Sequence, residues 1–253
     1  RANPSEELLK KYNSLIQETA EFMYSFATYE EEHDRYVLKG AIPAQETLRA
    51  AETVNPPFEL SYWHFAMQVA QTWRERTRME RVPEWDVLIE KLSPLAYNDE
   101  QLYLAAETAV DTYKDIRFTS DHMAVLGAVG ILPMNQLIHA GYMKNTLHWI
   151  WDNWNWDKTW GWDYPMTAMN AARMGEPEKA VSALLMDKRT NTYLVNGHNY
   201  QDGRLRIYLP GNGGLLTTVA MMCAGWDGSE GNNPGFPKDG KWNVRWEGLQ
   251  PLP

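Results

Sequence analysis

The sequence predicts an all-α protein built from antiparallel helical hairpins, and three observations carry this. Most of the 253 residues fall into segments whose apolar side chains recur at helical spacing. The links between those segments are short, which sets neighbouring helices antiparallel. Only one segment, 192–209, alternates with the period of a strand. About eight to ten helices are expected, and pairs that recur without strands between them fit a ring or stack of hairpins better than a four-helix bundle.

Taken in order, Ser5 is placed to cap a helix over 6–28, with Glu6 and Glu7 at its positive end. Leu8, Tyr12, Leu15, Thr19, Phe22 and Phe26 form its expected inward stripe. The acidic segment 30–34 reads as solvated surface, with His33 exposed in it. Residues 36–58 are irregular, punctuated by Gly40, Pro43 and Pro56-Pro57. A helix over 59–78 follows, carrying Tyr62, Trp63, Ala66, Val69, Ala70 and Trp73 on its apolar side. Pro83 opens a short helix over 84–92. Asn98 with Gln101 resembles a capping box for a helix over 99–114. Thr119 or Ser120 caps another at 121–129, and 134–152 lead helically onward. Helices over 163–174 and 177–186, joined at Gly175, make a helical hairpin. Asn196-Gly197 and Asp202-Gly203 mark 192–209 as a β-hairpin on the helical frame. The glycine-rich turn 210–214 precedes a helix from about 215 to 224. The tail from Gly225, rich in Gly, Pro and Asn, is expected to be ordered but irregular, held by Phe236, Trp242 and Trp246. The chain is read as one domain over 1–253.

Composition narrows the function. The net charge is −9 and no run of Lys or Arg occurs, which argues against nucleic acid and against an anionic membrane surface. No apolar run approaches the ~20 residues that a bilayer-spanning helix needs. A single cysteine, Cys223, leaves no internal disulfide and no multi-cysteine metal site, and it does not separate cytoplasm from periplasm. No metal and no cofactor is expected. No glycine-rich loop is followed by Gly-Lys-Ser/Thr, so 210–214 does not read as a nucleotide loop.

One stretch stands apart. Trp149, Trp151, Trp154, Trp156, Trp160 and Trp162 supply half of the 12 tryptophans, interleaved with Asp152, Asn153, Asn155, Asp157 and Asp163. Broad apolar faces beside carboxylates and amides suit a polar ligand with apolar faces, such as a sugar ring. Aromatic core packing with polar caps is the competing reading. Among the acids, Glu46 follows an irregular loop and stands clear of the acidic runs. Glu59 opens a helix, where a carboxylate is favoured by the dipole alone.

Four segments, AIPAQET (41–47), NPPFELSYW (55–63), WGWDYPMTAMNAARMGEPEKA (160–180) and YLPGNGGLL (208–216), resemble in order and spacing the six-hairpin glycosidases. The likeness is greatest to glycoside hydrolase families 65 and 95 and their uncharacterised bacterial relatives. It implies an (α/α) toroid, here incomplete, and the C-terminal portion of a longer enzyme whose N-terminal part lies outside this sequence. It implies a general acid at Glu46, and a periplasmic or secreted bacterial setting. Where family 95 has Asp-Gly-Asn at its base, this chain has Pro210-Gly211-Asn212. Gly213-Gly214-Leu215-Leu216 also lacks the His and hydroxyl residues of the family 65 phosphate loop, which argues against phosphorolysis. Asp163 is the first candidate for the base, although it is also a good helix cap. A water held by Asn212 or His198 is the second.

The expected activity is therefore hydrolysis of a glycosidic bond with inversion, on an oligosaccharide or polysaccharide. Glu46 protonates the leaving oxygen. Trp63, Trp160 and Trp162 stack on sugar rings, while His198, Asn199, Gln201 and Asn212 bind hydroxyls. The alternative is a sugar-binding toroid without catalysis. A sugar epimerase would want paired histidines, and the six histidines do not cluster in sequence.

Overall fold

A computed structural model describes residues 5–253. Among them are seven α-helices and two small two-stranded antiparallel sheets, so the protein is mostly helical. Helix α1 spans Glu6–Phe26, and the Ser5 hydroxyl accepts from Leu8 N at 3.3 Å, capping it as expected. Its inward stripe is rotated by one residue from the expected one. Leu9, Ala20 and Met23 are buried, whereas Leu15 and Phe22 are 60% and 59% exposed. The small Ala20 lies towards α2 (Pro57–Arg76), against which α1 packs.

Strands β1 (Thr28–Glu30) and β2 (Arg35–Val37) pair around the acidic turn, with Tyr29 opposite Tyr36. This hairpin is not visible in the hydropathy pattern, because its turn is charged. Arg35 closes it by binding Glu30 at 2.9 Å and Glu107 at 2.8 Å. The acidic segment itself is exposed in part, and His33 is exposed, as expected.

Helix α3 covers Pro83–Lys91. The helix expected over 99–114 is absent. Asn98 Oδ1 accepts from the backbone of Glu100 and Leu102, Gln101 adopts φ +61°, and Tyr97 bridges Tyr103. Residues 102–106 are then buried without interruption, which a one-sided helix on the surface does not allow. Their amides find tertiary partners instead, as Tyr103 N does at Thr146 Oγ1, 2.9 Å. Over 121–129 the backbone forms a 3₁₀ turn at Ala124–Ala128, and α4 begins only at Ala140, ending at Asn153.

Helices α5 (Asp163–Arg173) and α6 (Pro177–Leu184) form the expected hairpin, turning at Gly175 with φ +76°. Helix α5 is nearly all buried and touches α6, the Ala124–Ala128 turn and α7 (Leu209–Ala224). The β-hairpin shrinks to Thr192–Tyr193 against Asn199–Tyr200, strands β3 and β4. Asp202 ends it early, because its Oδ1 accepts from Arg204 N and Leu205 N and closes a separate turn. Gly211, Gly213 and Gly214 lie inside α7 rather than before it. A side chain at Gly214 would come within 2.7 Å of Pro165 on α5, so close helix packing explains that glycine. The tail is irregular and docks at its end, where Leu252 bridges Trp226 and Arg173 donates to the Pro253 carbonyl at 2.7 Å. No helix among the described residues is long and apolar enough to cross a membrane.

Candidate functional site

Two clefts share one loop and one turn. The first holds about 530 Å³ and is lined by Glu46, Thr47, Arg49, Arg117, Ser120, Asp121, Lys158 and Trp160. The second holds about 380 Å³ and is mainly apolar, with Phe58, Ile131, Trp162, Met166, Met169 and Pro210 around Glu59. Ile42, Pro43 and Ala44 line the second cleft, and Glu46, Thr47 and Arg49 line the first. The loop 41–49 therefore borders both.

That loop is fixed from two sides. Asp121 Oδ2 accepts from both Thr47 N and Thr47 Oγ1 at 2.7 Å. Leu48 enters a small apolar cluster with Ala105, Ala106, Ala109 and Phe118. Glu46, held between these anchors, is exposed, and it makes no hydrogen bond or ion pair among the described residues. It shares its cleft with Trp160, as the stacking role requires, in a lining that is mostly polar and charged.

Apolar surroundings are found at Glu59 instead. It sits in the first turn of α2, after Pro57, with Oε2 buried and without a partner. Burial pushes its carboxyl up to about 7, and a backbone hydrogen bond offsets only part of this. The helix dipole explains a carboxylate at this position but not one with a buried oxygen that no protein donor reaches.

The turn from Thr159 to Asp163 divides the tryptophans by role. Trp154 and Trp156 are core, their indole N–H groups spent on the Asp121 and Trp151 carbonyls at 3.0 and 3.2 Å. Trp160 and Trp162 are half-buried and face the clefts. Asp163, the first candidate for the base, is fully buried. Its oxygens accept from Trp160 N at 2.9 Å, from the Thr159 hydroxyl, and from His122 Nδ1 at 3.0 Å. An acceptor so occupied and cut off from solvent does not activate a water; it orients His122.

The sequence gives no sign of His122, since nothing announces a pairing with Asp163 at a separation of 41 residues. Its ring lies 5.4 Å from Trp160 and 5.0 Å from Trp162. Burial works against a charged imidazole here. The hydrogen bond and charge of Asp163, with the charges of Asp121 and Glu46, outweigh it and hold the ring above its ordinary value. Trp162 Nε1 also approaches His122 Nδ1, at 2.7 Å. One nitrogen cannot give its proton to Asp163 and accept from Trp162. The carboxylate prevails, because a charge-assisted bond is roughly twice as strong as a neutral one.

The residues expected to bind hydroxyls build the frame instead. Asn199, fully buried, donates to the Thr190 and Thr192 carbonyls at 3.0 and 3.3 Å. Its backbone N–H reaches Asn212 Oδ1 at 2.9 Å, and Asn212 Nδ2 donates to Gly197 O at 2.8 Å. Gln201 Oε1 accepts from Gly161 N at 3.0 Å. A Cβ at Gly161 or Gly211 would collide with Asn199 Oδ1. These amides thus clamp the Trp160–Trp162 turn to the start of α7. His198 lies in the β3–β4 turn and lines neither cleft. Trp63 packs between α1 and α2, 5.5 Å from Phe26, and its N–H goes to the Met23 carbonyl at 2.9 Å. It is a packing residue, in keeping with its place on the apolar side of the helix.

Among the described residues no three His, Cys, Asp or Glu side chains converge as a metal-ligand group. Comparison with protein-family models and with curated proteins finds no match for the chain.

Proposed function

We propose that the chain belongs to a carbohydrate-active enzyme that hydrolyses a glycosidic bond with inversion. Its fold would be an incomplete (α/α) toroid of the six-hairpin glycosidase kind. One observation carries the reading: a carboxyl group with an unpartnered, buried oxygen stands in an apolar cleft beside a tryptophan. A general acid for glycoside cleavage needs to hold its proton near neutral pH, and apolar burial provides that. Of the two glutamates, Glu59 has this environment and Glu46 does not, so the acid role passes from Glu46 to Glu59. Glu46, solvated and without a partner, suits the second task, taking a proton from the attacking water. Asp163 acts one step removed, by orienting His122. Trp160 and Trp162 offer faces for sugar rings.

The sugar-binding reading without catalysis also has an observation in its favour. Among the described residues Glu59 is the only carboxyl group that lines the apolar cleft. The test is a glycoside hydrolysis screen on the chain and on Glu59→Gln. The variant is expected to bind the substrate normally and to lose turnover by about 10²- to 10⁴-fold. Sugar binding without turnover by the native chain would leave the binding reading in its place.

A further inference from the structure

We infer that the cleft at Glu46 takes a sugar unit bearing a negative substituent, a uronate carboxylate or a sulfate ester. Its oxyanion would be held by Arg49 and Lys158 and its ring would lie against Trp160. The inference rests on the carbohydrate reading above and names the substrate class for it.

The chain as a whole is acidic, with 24 Lys and Arg against 33 Asp and Glu. Yet three cations, Arg49, Arg117 and Lys158, line this one cleft. Arg117 is held by Asp115 at 2.5 Å. Arg49 and Lys158 pair with no carboxylate among the described residues, although both share the cleft with Glu46 and Asp121. Asp121 is not available to them. Its oxygens accept from Thr47 N, Thr47 Oγ1 and His122 N. Elsewhere on the surface some exposed cations find carboxylates, as Arg81 and Lys144 do, and others, such as Arg76, Arg78 and Lys114, do not; what sets Arg49 and Lys158 apart is that they share one cavity. Two free cations and one free carboxylate, kept apart around a cavity that admits a sugar ring, form a site where an oxyanion adds charge-assisted bonds without displacing existing ones. The hydroxyl of Ser120, which accepts from Asn155 Nδ2 at 3.1 Å, still has its own proton to donate. The neighbouring apolar cleft has no cation in its lining, so the preference for a negative group belongs to the Glu46 side alone.

The experiment uses the Glu59→Gln chain, to prevent turnover, on a glycan array of neutral, uronic-acid and sulfated oligosaccharides, with inorganic phosphate as a separate probe. The Arg49→Gln/Lys158→Gln pair of substitutions is run alongside, and its circular dichroism and Tm are checked against the parent. Acidic glycans are expected to bind about 10-fold or more tightly than neutral counterparts. That margin shrinks as salt is added, and the double substitution removes it while leaving neutral binding unchanged. Uronides alone or sulfated glycans alone on the array would identify which oxyanion it is. Equal binding of neutral and acidic glycans, or a preference that survives the double substitution, overturns the inference and leaves the hydrolase reading standing. Binding of inorganic phosphate but of no glycan overturns the inference and the carbohydrate reading together, as does binding of nothing on the array.

Discussion

The two clefts border the same loop and the same turn, and they treat a carboxyl group in opposite ways. At Glu46 the surroundings are polar and open, with three cations in the lining. At Glu59 they are apolar, and one carboxyl oxygen is buried without a donor. Two like side chains thereby stand in opposite environments, the condition under which a single fold can supply an acid and a base at one pH. The contrast also shows that isolation from acidic runs, the reason for choosing Glu46 from sequence, says nothing about solvent. What matters is which residues come from elsewhere to surround the group.

The strongest way to break the comparison is to change the leaving group. On an ordinary glycoside, Glu59→Gln and Glu46→Gln are each expected to lower turnover by about 10²- to 10⁴-fold. On a glycoside whose leaving group departs without protonation, Glu59→Gln should regain most of the loss and Glu46→Gln should not. Equal recovery in steady-state kinetics would mean that the roles are not divided as the clefts suggest.

Next in size is a stability effect that sharpens the contrast. Glu59 has a folded value near 7 against an ordinary 4.5. Between those values the native state keeps a proton that the unfolded chain has released, so stability falls as pH rises through that window. Glu59→Gln should therefore stabilise the chain at pH 8 by up to about 3 kcal/mol and change little at pH 4, as denaturant titrations would read. The same titration predicts that activity declines above about pH 7.

Smaller effects test the shared wall. Gly161→Ala pushes a methyl into Asn199 and should cost about 1–3 kcal/mol by thermal unfolding. It should also weaken sugar binding in both clefts, since the turn borders both. An effect in one cleft only would uncouple them. Smallest of all, Trp63→Phe should cost about 1 kcal/mol, for its bond to the Met23 carbonyl, and leave sugar binding unchanged.

Helices were legible where their signals are local. Ser5, Pro57, Pro83, Gly175 and Pro177 punctuate the chain as capping chemistry predicts. Legibility failed where tertiary partners replaced local ones. Residues 102–106 read as helix until Thr146 and Ala96 are seen to satisfy their amides. The site was legible as a neighbourhood rather than as roles. Glu46, Trp160, Trp162 and Asp163 do gather near one turn. Polarity at His198, Asn199, Gln201 and Asn212 was read as ligand chemistry, but three of these four serve the backbone. Nothing in a sequence distinguishes an amide that faces a sugar from one that faces a carbonyl. His122 went unnoticed because its partner, Asp163, lies far along the chain.

Asn199 gives both of its amide hydrogens to main-chain oxygens in a space with no room to turn. Exchanging that NH2 for an oxygen would preserve volume and shape, yet two attractions would become two repulsions around a buried charge. The walls of both clefts thus hang on a distinction of one atom's identity rather than on bulk, and a search for tolerated replacements by size alone would pass straight over it.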